Sequence, residues 1–312
     1  MYIIKPNIKI EVVIHITGCK DITRNIILII EGGAISGIFG AGVLSAFNSA
    51  KIHSRVHSIY TVSAGAHLGA YFLSEKPIVA SGIYTKELMY KRNKFFKLGI
   101  FGLWKSFWKL LFKRENLHLL DLDVLRAIEK TKRKLDFHKI KKSKIKFFVA
   151  VFDHENMMTK YIDGKKDTIE VINLSSYLAP YIFLETKTKH VYDGKTVPNA
   201  VFLDIMEEHK DKRIIWIMNE RRTNKHQIKD IPFRVIDMYA KSMYFGFRYL
   251  VYHLIHFFDE SSIETIHTYS NVTLIYPDQD VRKITRDKKR ILGLFKNGIS
   301  RGKKILKKFK IK

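Results

Sequence analysis

Short apolar runs alternate with helix-like segments along most of this chain. Five runs rich in Ile, Val or Phe are predicted strands, at 26–31, 57–62, 145–153, 213–218 and 271–276. Three segments between or after them have helical patterns, at 37–50, 64–74 and 198–209. Alternation of this kind predicts an α/β fold with a mostly parallel central sheet and helices on both faces.

Two further segments depart from this alternation. Residues 158–162 and 168–172 flank the pair Asp163-Gly164, which favours a β-hairpin turn. Residues 234–258 are rich in aromatic side chains, which predicts a long packing helix, with a lipid-facing helix as the alternative. We find no internal repeat and no low-complexity linker, and therefore predict a single domain over residues 1–312.

The charge of the chain restricts its partners. The 312 residues include 56 Lys and Arg against 30 Asp and Glu, a formal net charge of +26, and the apolar fraction of 46% is ample for a core. A field of this sign favours phosphate-bearing partners. Because we recognise no nucleic-acid-binding motif, we expect an anionic membrane surface rather than nucleic acid.

Targeting signals are not evident. The apolar positions of residues 1–16 are interrupted by charges, so no signal peptide is predicted, and no uninterrupted apolar run approaches the roughly 18 residues of a spanning helix. The single cysteine, Cys19, excludes an intramolecular disulfide. We expect a cytoplasmic protein, peripheral at a membrane, with signal-less export and oligomeric state left open.

Two stretches combine cations with apolar residues. Residues 91–114 contain eight Lys or Arg and no acid, with aromatics at helical spacing, a pattern typical of an interfacial helix. The alternative is a helix docked on the core. The predicted membrane contacts are Trp104, Lys105, Trp108, Lys109 and Lys113. Residues 282–312 are predicted to form a basic C-terminal helical segment, either a surface helix or a second tether to anionic lipid.

Two glycine-rich segments near the start carry the candidate chemistry. The first strand runs into Gly32-Gly33-Ala34, and the bare backbone N–H groups of such a loop suit an oxyanion. The next strand ends in Thr61-Val62-Ser63-Ala64-Gly65, which predicts a sharp turn that exposes Ser63 at the start of a helix. A nucleophile and an oxyanion hole on adjacent strand–helix units indicate acyl transfer.

A third segment, Asp193-Gly194, follows Ser63 after 193 − 63 = 130 residues. Loop, serine turn and Asp-Gly pair in this order resemble the patatin-like phospholipase family, and its bacterial branch most closely, over roughly residues 26–220. Residues 175–180, Ser-Ser-Tyr-Leu-Ala-Pro, are similar to that family's Ala-Ser-x-Ala-x-Pro segment, which comes shortly before the aspartate. The resemblance implies a three-layer α/β/α fold with a mostly parallel sheet and its core in roughly residues 26–220.

The resemblance also implies the role of each site residue. Ser63 would be the nucleophile and Asp193 the general base, without an intervening histidine. Gly32, Gly33 and Ala34 would donate to the oxyanion, while Gly65 and Gly194 would support the turn and the aspartate loop. No metal or cofactor is implied. The substrate would be a phospholipid, lysophospholipid or other acyl-ester lipid.

Four positions depart from the family pattern. Ser36 stands where Arg or Lys is usual, Lys195 replaces a second Gly, and the β-branched Thr61 replaces a Gly and is expected to crowd the turn. Ala34 replaces a Gly, and its N–H can still donate if its φ is negative. An active hydrolase is therefore one interpretation. The other is a weakened or inactive patatin-like protein that acts as an anionic-membrane-binding module.

Other chemistries find less support. None of the 13 histidines belongs to a metal-ligand spacing. His67 follows Ser63 by one helical turn and is predicted to point away from it, in a packing or surface role. The cluster of Gly32, Gly33 and Gly37 alone fits a dinucleotide loop, but no acid follows in a ribose-binding context.

Overall fold

The structure is a computed structural model. It describes residues 24–88, 120–177, 182–183, 191–194, 202–220, 238–239, 241–242, 245–247, 249–251, 269–279 and 287–311. The strands are β1 Ile26–Ile30, β2 Val56–Val62, β3 Leu120–Asp121, β4 Lys146–Asp153, β5 Met158–Asp163, β6 Ile182–Phe183, β7 Val191–Asp193, β8 Arg213–Ile217 and β9 Val272–Ile275. The helices are α1 Ile38–Ser49, α2 Ala64–Leu73, α3 Pro77–Gly82, α4 Leu122–Lys130, α5 Phe137–Lys142, α6 Thr168–Leu174, α7 Leu203–Glu208 and α8 Lys288–Lys308.

A 7-stranded sheet organises the described residues. Its order is β5-β4-β2-β1-β8-β9, and β7 also pairs with β4. Strands β4, β2, β1, β8 and β9 are mutually parallel, whereas β5 and β7 run antiparallel to β4. The predicted mostly parallel α/β sheet is therefore confirmed. Strands β3 and β6 form a separate parallel pair.

The central strand β1 is apolar throughout because helices cover both faces of the sheet. Alternate side chains point to opposite faces. Leu28 and Ile30 pack into a core shared with α1, α2 and α8, whereas Ile27 and Ile29 pack into a second core with α7. The sheet therefore lies between two layers of helix, as the resemblance implied.

Helix α8 packs on α1 through glycines. A Cβ at Gly42 would lie 2.2 Å from the carbonyl oxygen of Phe295, and a Cβ at Gly298 would lie 2.1 Å from that of Phe39. One turn further along both helices, Gly302 lies against Val43. The residue numbers of the contacting pairs increase along both helices, so α8 runs in the same direction as α1. The predicted basic C-terminal segment is helical over this range.

The hairpin predicted around Asp163-Gly164 is wrong. Strand β5 instead pairs back onto β4 across a turn at 154–157, and residues 168–174 form α6. Gly164 ends β5 by donating its N–H to the carbonyl of Phe147 at 2.8 Å. The apolar residues of α6 then bury one helical face. Tertiary packing therefore overrides the local turn signal.

Other predictions are tested only in part. The helix expected at 198–209 is helical over Leu203–Glu208, and residues 195–201 lie outside the described ranges. The interfacial helix expected at 91–114 lies wholly outside them, with Trp104, Lys105, Trp108, Lys109 and Lys113. Among the helices that the structure describes, none combines the length and apolarity needed to span a membrane.

Candidate active site

Ser63 occupies a sharp turn between β2 and α2. Its φ of 54° and ψ of −132° lie in a region that L residues rarely adopt, so the turn holds the backbone under strain. Gly65 makes the turn possible, because a Cβ there would lie 2.2 Å from the carbonyl oxygen of Ile30. This strained strand-to-helix geometry is that of a nucleophile elbow.

Thr61 fits beneath the elbow because a glycine faces it. Its hydroxyl donates to the carbonyl of Phe148 at 3.1 Å, and the residue is fully buried. A Cβ at Gly69 in α2 would lie 2.9 Å from the Thr61 methyl. The crowding expected from the β-branched side chain is accommodated by the missing side chain at Gly69.

The glycine loop after β1 lies directly against the elbow. A Cβ at Gly32 would lie 2.7 Å from Ser63 Cβ and 3.3 Å from Ser63 Oγ. Gly33 has a φ of 156°. Ala34 has a φ of 49°, so the negative φ that we required for its N–H to donate is not found. Within the described residues, the backbone N–H groups of Gly32 and Gly33 have no acceptor, which leaves these two groups available to a ligand.

Side chains from distant parts of the chain fix this loop. Asn219, which follows β8 and is 1% exposed, donates to the carbonyl of Glu31 at 2.5 Å and accepts from the N–H of Gly40 at 2.9 Å. Ser36 donates to the carbonyl of Gly33 at 2.6 Å. Ser36 therefore anchors the loop and supplies no positive charge. Asn219 was not predicted from the sequence, where its only signal is a polar residue at the carboxyl end of a buried strand.

Strand β4 brings the aspartate segment to the elbow. Strand β5 pairs with residues 148–153 along one edge of β4. On the other edge, β2 pairs with residues 146–150. Because β5 already occupies the first edge, β7 must pair with residues 151–153 on the edge that β2 uses. The last residue of β7, Asp193, therefore lies next to the end of β2, where the chain turns away at Ser63.

Asp193 and Gly194 are buried at this junction. Asp193 is 2% exposed and pairs with Val151. A Cβ at Gly194 would lie 2.9 Å from the carbonyl oxygen of Ala150 and 3.0 Å from a methyl of Val62, the residue before Ser63. Gly194 thus allows the close approach of the two segments. The structure brings Asp193, Gly194, Ser63 and Gly32 to one place, the carboxyl end of β2.

Comparison with known proteins decides the family. A family model described as patatin-like phospholipase matches residues 28–231, which include the loop, the elbow and the Asp-Gly pair. The chain belongs to the patatin-like phospholipase family. Proteins of this family are, in general, lipid acyl hydrolases.

Two other comparisons add little. The crystal structure of VipD from Legionella pneumophila aligns with this patatin-like chain at a TM-score of 0.42 and 13% identity, covering 92% of this chain and 67% of that one. No curated protein matches the chain.

A short segment before Asp193 holds both halves of the patatin-like site. The backbone N–H of Ser63 donates to Ser175 Oγ at 2.8 Å, and that hydroxyl donates to the carbonyl of Ala150 at 2.7 Å. The N–H of Asp193 donates to the carbonyl of Tyr177 at 2.9 Å. Residues 175–177 therefore connect the serine turn, β4 and the aspartate. The segment was predicted from its resemblance to the family, but the role of Ser175 was not predicted.

His67 joins a buried polar chain behind the elbow. Its Nδ1 lies 2.6 Å from Glu129 Oε1, and its Nε2 lies 3.1 Å from Ser176 Oγ. His67 is 5% exposed and Glu129 is fully buried, so the role at His67 is packing rather than surface. This chain connects α2 and α4 to the residue that follows Ser175. In the ranges that the structure describes, no three His, Cys, Asp or Glu side chains are grouped as a metal site.

Proposed function

We propose that this protein is a serine lipid acyl hydrolase of the phospholipase A or lysophospholipase type, with Ser63 as nucleophile and Asp193 as general base. The observation that carries this proposal is the sharing of one edge of β4 by β2 and β7. By that pairing, β7 ends with the buried Asp193 next to the end of β2, from which the chain turns into Ser63 at φ 54°. The family supplies lipid acyl esters as the substrate class.

The proposed reaction has two steps. Asp193 accepts the proton of the Ser63 hydroxyl as the oxygen attacks the ester carbonyl, and it returns that proton to the departing alcohol. Water then attacks the acyl-enzyme, with Asp193 again accepting and returning the proton. A carboxylate is a weak base for this task, and burial from water makes the transfer feasible. The proposed proton transfer needs no histidine between Ser63 and Asp193.

Backbone groups would stabilise the oxyanion. Gly32 lies against Ser63 and Gly33 follows it, so their N–H groups are the proposed donors to the oxyanion. Helix α2 begins directly after Ser63, and its N-terminal dipole favours negative charge there. The family's usual cation is replaced by Ser36, whose hydroxyl is engaged by Gly33. The backbone therefore carries this stabilisation without a neighbouring positive side chain. We expect a slower enzyme than a relative with the cation.

Labelling with a fluorophosphonate probe tests the nucleophile. We expect wild-type protein to be labelled and Ser63→Ala to lose all labelling, because only a serine activated at an elbow attacks the phosphorus. Ser49→Ala is the matched control, since Ser49 is exposed at the end of α1 and its hydroxyl bonds only to the carbonyl of Ser45.

Two outcomes of this labelling experiment would contradict the proposal. Equal labelling of wild type and Ser63→Ala would mean that another residue reacts. No labelling of folded wild-type protein, together with binding to anionic vesicles, would favour the inactive membrane-binding module.

The partner in this proposal is a membrane that carries the lipid substrate. The net charge of +26 supports an anionic surface, because such a field attracts acidic head groups. The stretch at 91–114 remains one predicted contact.

A further inference from the structure

Helix α8 reaches past the start of α1 on the side of the candidate site. Residues 295 and 298 lie against residues 39–42, near the beginning of α1. Because the two helices are parallel, the preceding residues of α8 continue beyond that beginning, by about 10 Å for seven residues at 1.5 Å each. Helix α8 also contacts the turn Ala34–Gly37, which follows the glycine loop and precedes α1. The N-terminal part of α8 therefore borders the end of the sheet that holds Ser63.

This part of α8 exposes cations around an apolar side chain. Lys288, Lys289, Leu292, Gly293 and Lys296 line a shallow open depression, which we call the α8 basic surface. Leu292 is 40% exposed. Lys289 and Lys296 are two helical turns apart and so lie on the same face, with Leu292 between them. Lysines on either side of an exposed leucine, on one face of a helix, are typical of an interfacial helix.

The side chains of these lysines have no ion-pair partner in the part of the chain that the structure describes. Among the described residues, no carboxylate lies within ion-pair distance of Lys288, Lys289 or Lys296. The nearby Asp287 pairs with Arg290 at 3.3 Å and caps the helix through its N–H groups. These three cations lie at the end of the sheet that holds the candidate lipid site, and they fit an anionic partner by charge complementarity.

We propose that the α8 basic surface docks on a bilayer of anionic phospholipid and so presents the Ser63 end of the sheet to the membrane. The lysines would lie at head-group level, and Leu292 would enter the acyl boundary. An exposed leucine among the cations favours a bilayer over nucleic acid, which offers the lysines phosphates but gives the leucine no apolar layer. This inference rests on the proposed function for the lipid substrate. The evidence for the α8 basic surface itself does not depend on that function.

Vesicle co-sedimentation tests the inference, with phosphatidylserine in phosphatidylcholine as the probe. All proteins carry Ser63→Ala, so that hydrolysis cannot alter the vesicles. The test variant is Lys288→Glu, Lys289→Glu and Lys296→Glu together. The matched control is Lys303→Glu, Lys304→Glu and Lys307→Glu, which changes the same charge on exposed positions of the same helix. The control residues lie near Gly302, towards the far end of α1.

We expect the test variant to bind anionic vesicles at least about 100-fold more weakly at low salt, since each of the three surface cations contributes about fivefold on an acidic leaflet. The control variant should lose much less, and high salt should narrow the difference by screening. Leu292→Ser should weaken vesicle binding and leave retention on DNA-cellulose unchanged. A thermal melt of each variant establishes that it is folded.

Equal losses in the test and control variants would overturn the inference, because bulk charge would then explain binding. Unchanged vesicle binding in a folded test variant would also overturn it, as would loss of DNA retention without loss of vesicle binding. Fluorophosphonate labelling of the same surface variants with Ser63 intact separates the two proposals. Labelling without localised docking would reject the surface and leave the hydrolase standing. Localised docking without labelling would reject the hydrolase and leave the α8 basic surface standing.

Discussion

At the scale of single residues, the candidate site is held by side chains that sequence reasoning could find only in part. Ser63 and Gly32 were predicted because their neighbours along the chain define a turn and a loop. Ser175 and Asn219 were not, because their partners lie 112 and 188 residues away and only the folded sheet brings them together. The positive φ of Ala34 was also missed, since alanine has no local preference for it.

The pair His67 and Glu129 gives a prediction at this scale. His67→Phe should lower the free energy of unfolding by about 1–3 kcal/mol, because it leaves the Glu129 carboxyl buried without its partner. Removing both groups in His67→Phe with Glu129→Met should cost less than the sum of the single changes. Urea unfolding of the four proteins measures the coupling. Strict additivity would show that the two side chains do not depend on each other.

At the scale of elements, local pattern predicted the buried strands well and the element after β5 badly. A strand such as β1 needs only a continuous apolar run, which the sequence displays directly. The segment 168–174 alternates as a short strand could, and the choice of helix is made by its packing beside β4 and β7. No local sequence pattern indicates that β2 and β7 lie end to end along one edge of β4.

The contact between α7 and β2 gives a pH prediction. His209, at the end of α7, accepts a hydrogen bond from the Tyr60 hydroxyl at 3.0 Å, and burial together with nearby His57 lowers the pKa of His209 to about 4. The unfolded chain has the ordinary pKa of 6.5. Between these values the unfolded state binds more protons, so stability should fall as the pH falls from 6.5 to 4.

The size of this effect is on the order of 1–2 kcal/mol, after allowance for solvent screening. His209→Gln retains an acceptor for Tyr60 without a titrating group, so its stability should fall less steeply over the same range. Urea midpoints from pH 7 to pH 4 compare the two proteins. The pKa of His57 is lowered too, mainly by burial, and so part of the slope should remain. Parallel curves for the two proteins would exclude His209 as the cause.

At the scale of the whole molecule, one end of the sheet gathers the chemistry. The glycine loop, the elbow and Asp193 meet at the carboxyl ends of parallel strands, where α/β proteins bind their ligands. Helix α8 adds cations at the same end. Alternating strands and helices in the sequence predicted this architecture. The glycine loop, the serine turn and the Asp-Gly pair predicted where the candidate site lies. What the sequence could not provide was the direction of α8, which glycine contacts with α1 determine.

The proposed Ser63–Asp193 dyad is tested most directly by fatty acid release from phospholipid vesicles. The proteins compared are wild type, Ser63→Ala and Asp193→Asn. We expect Ser63→Ala to abolish release and Asp193→Asn to lower turnover by about 10²–10⁴-fold, the usual effect of losing a general base. Both variants should melt cooperatively as the wild type does. Turnover by folded Asp193→Asn at the wild-type rate would contradict the dyad, and hydrolysis by folded Ser63→Ala would contradict the nucleophile.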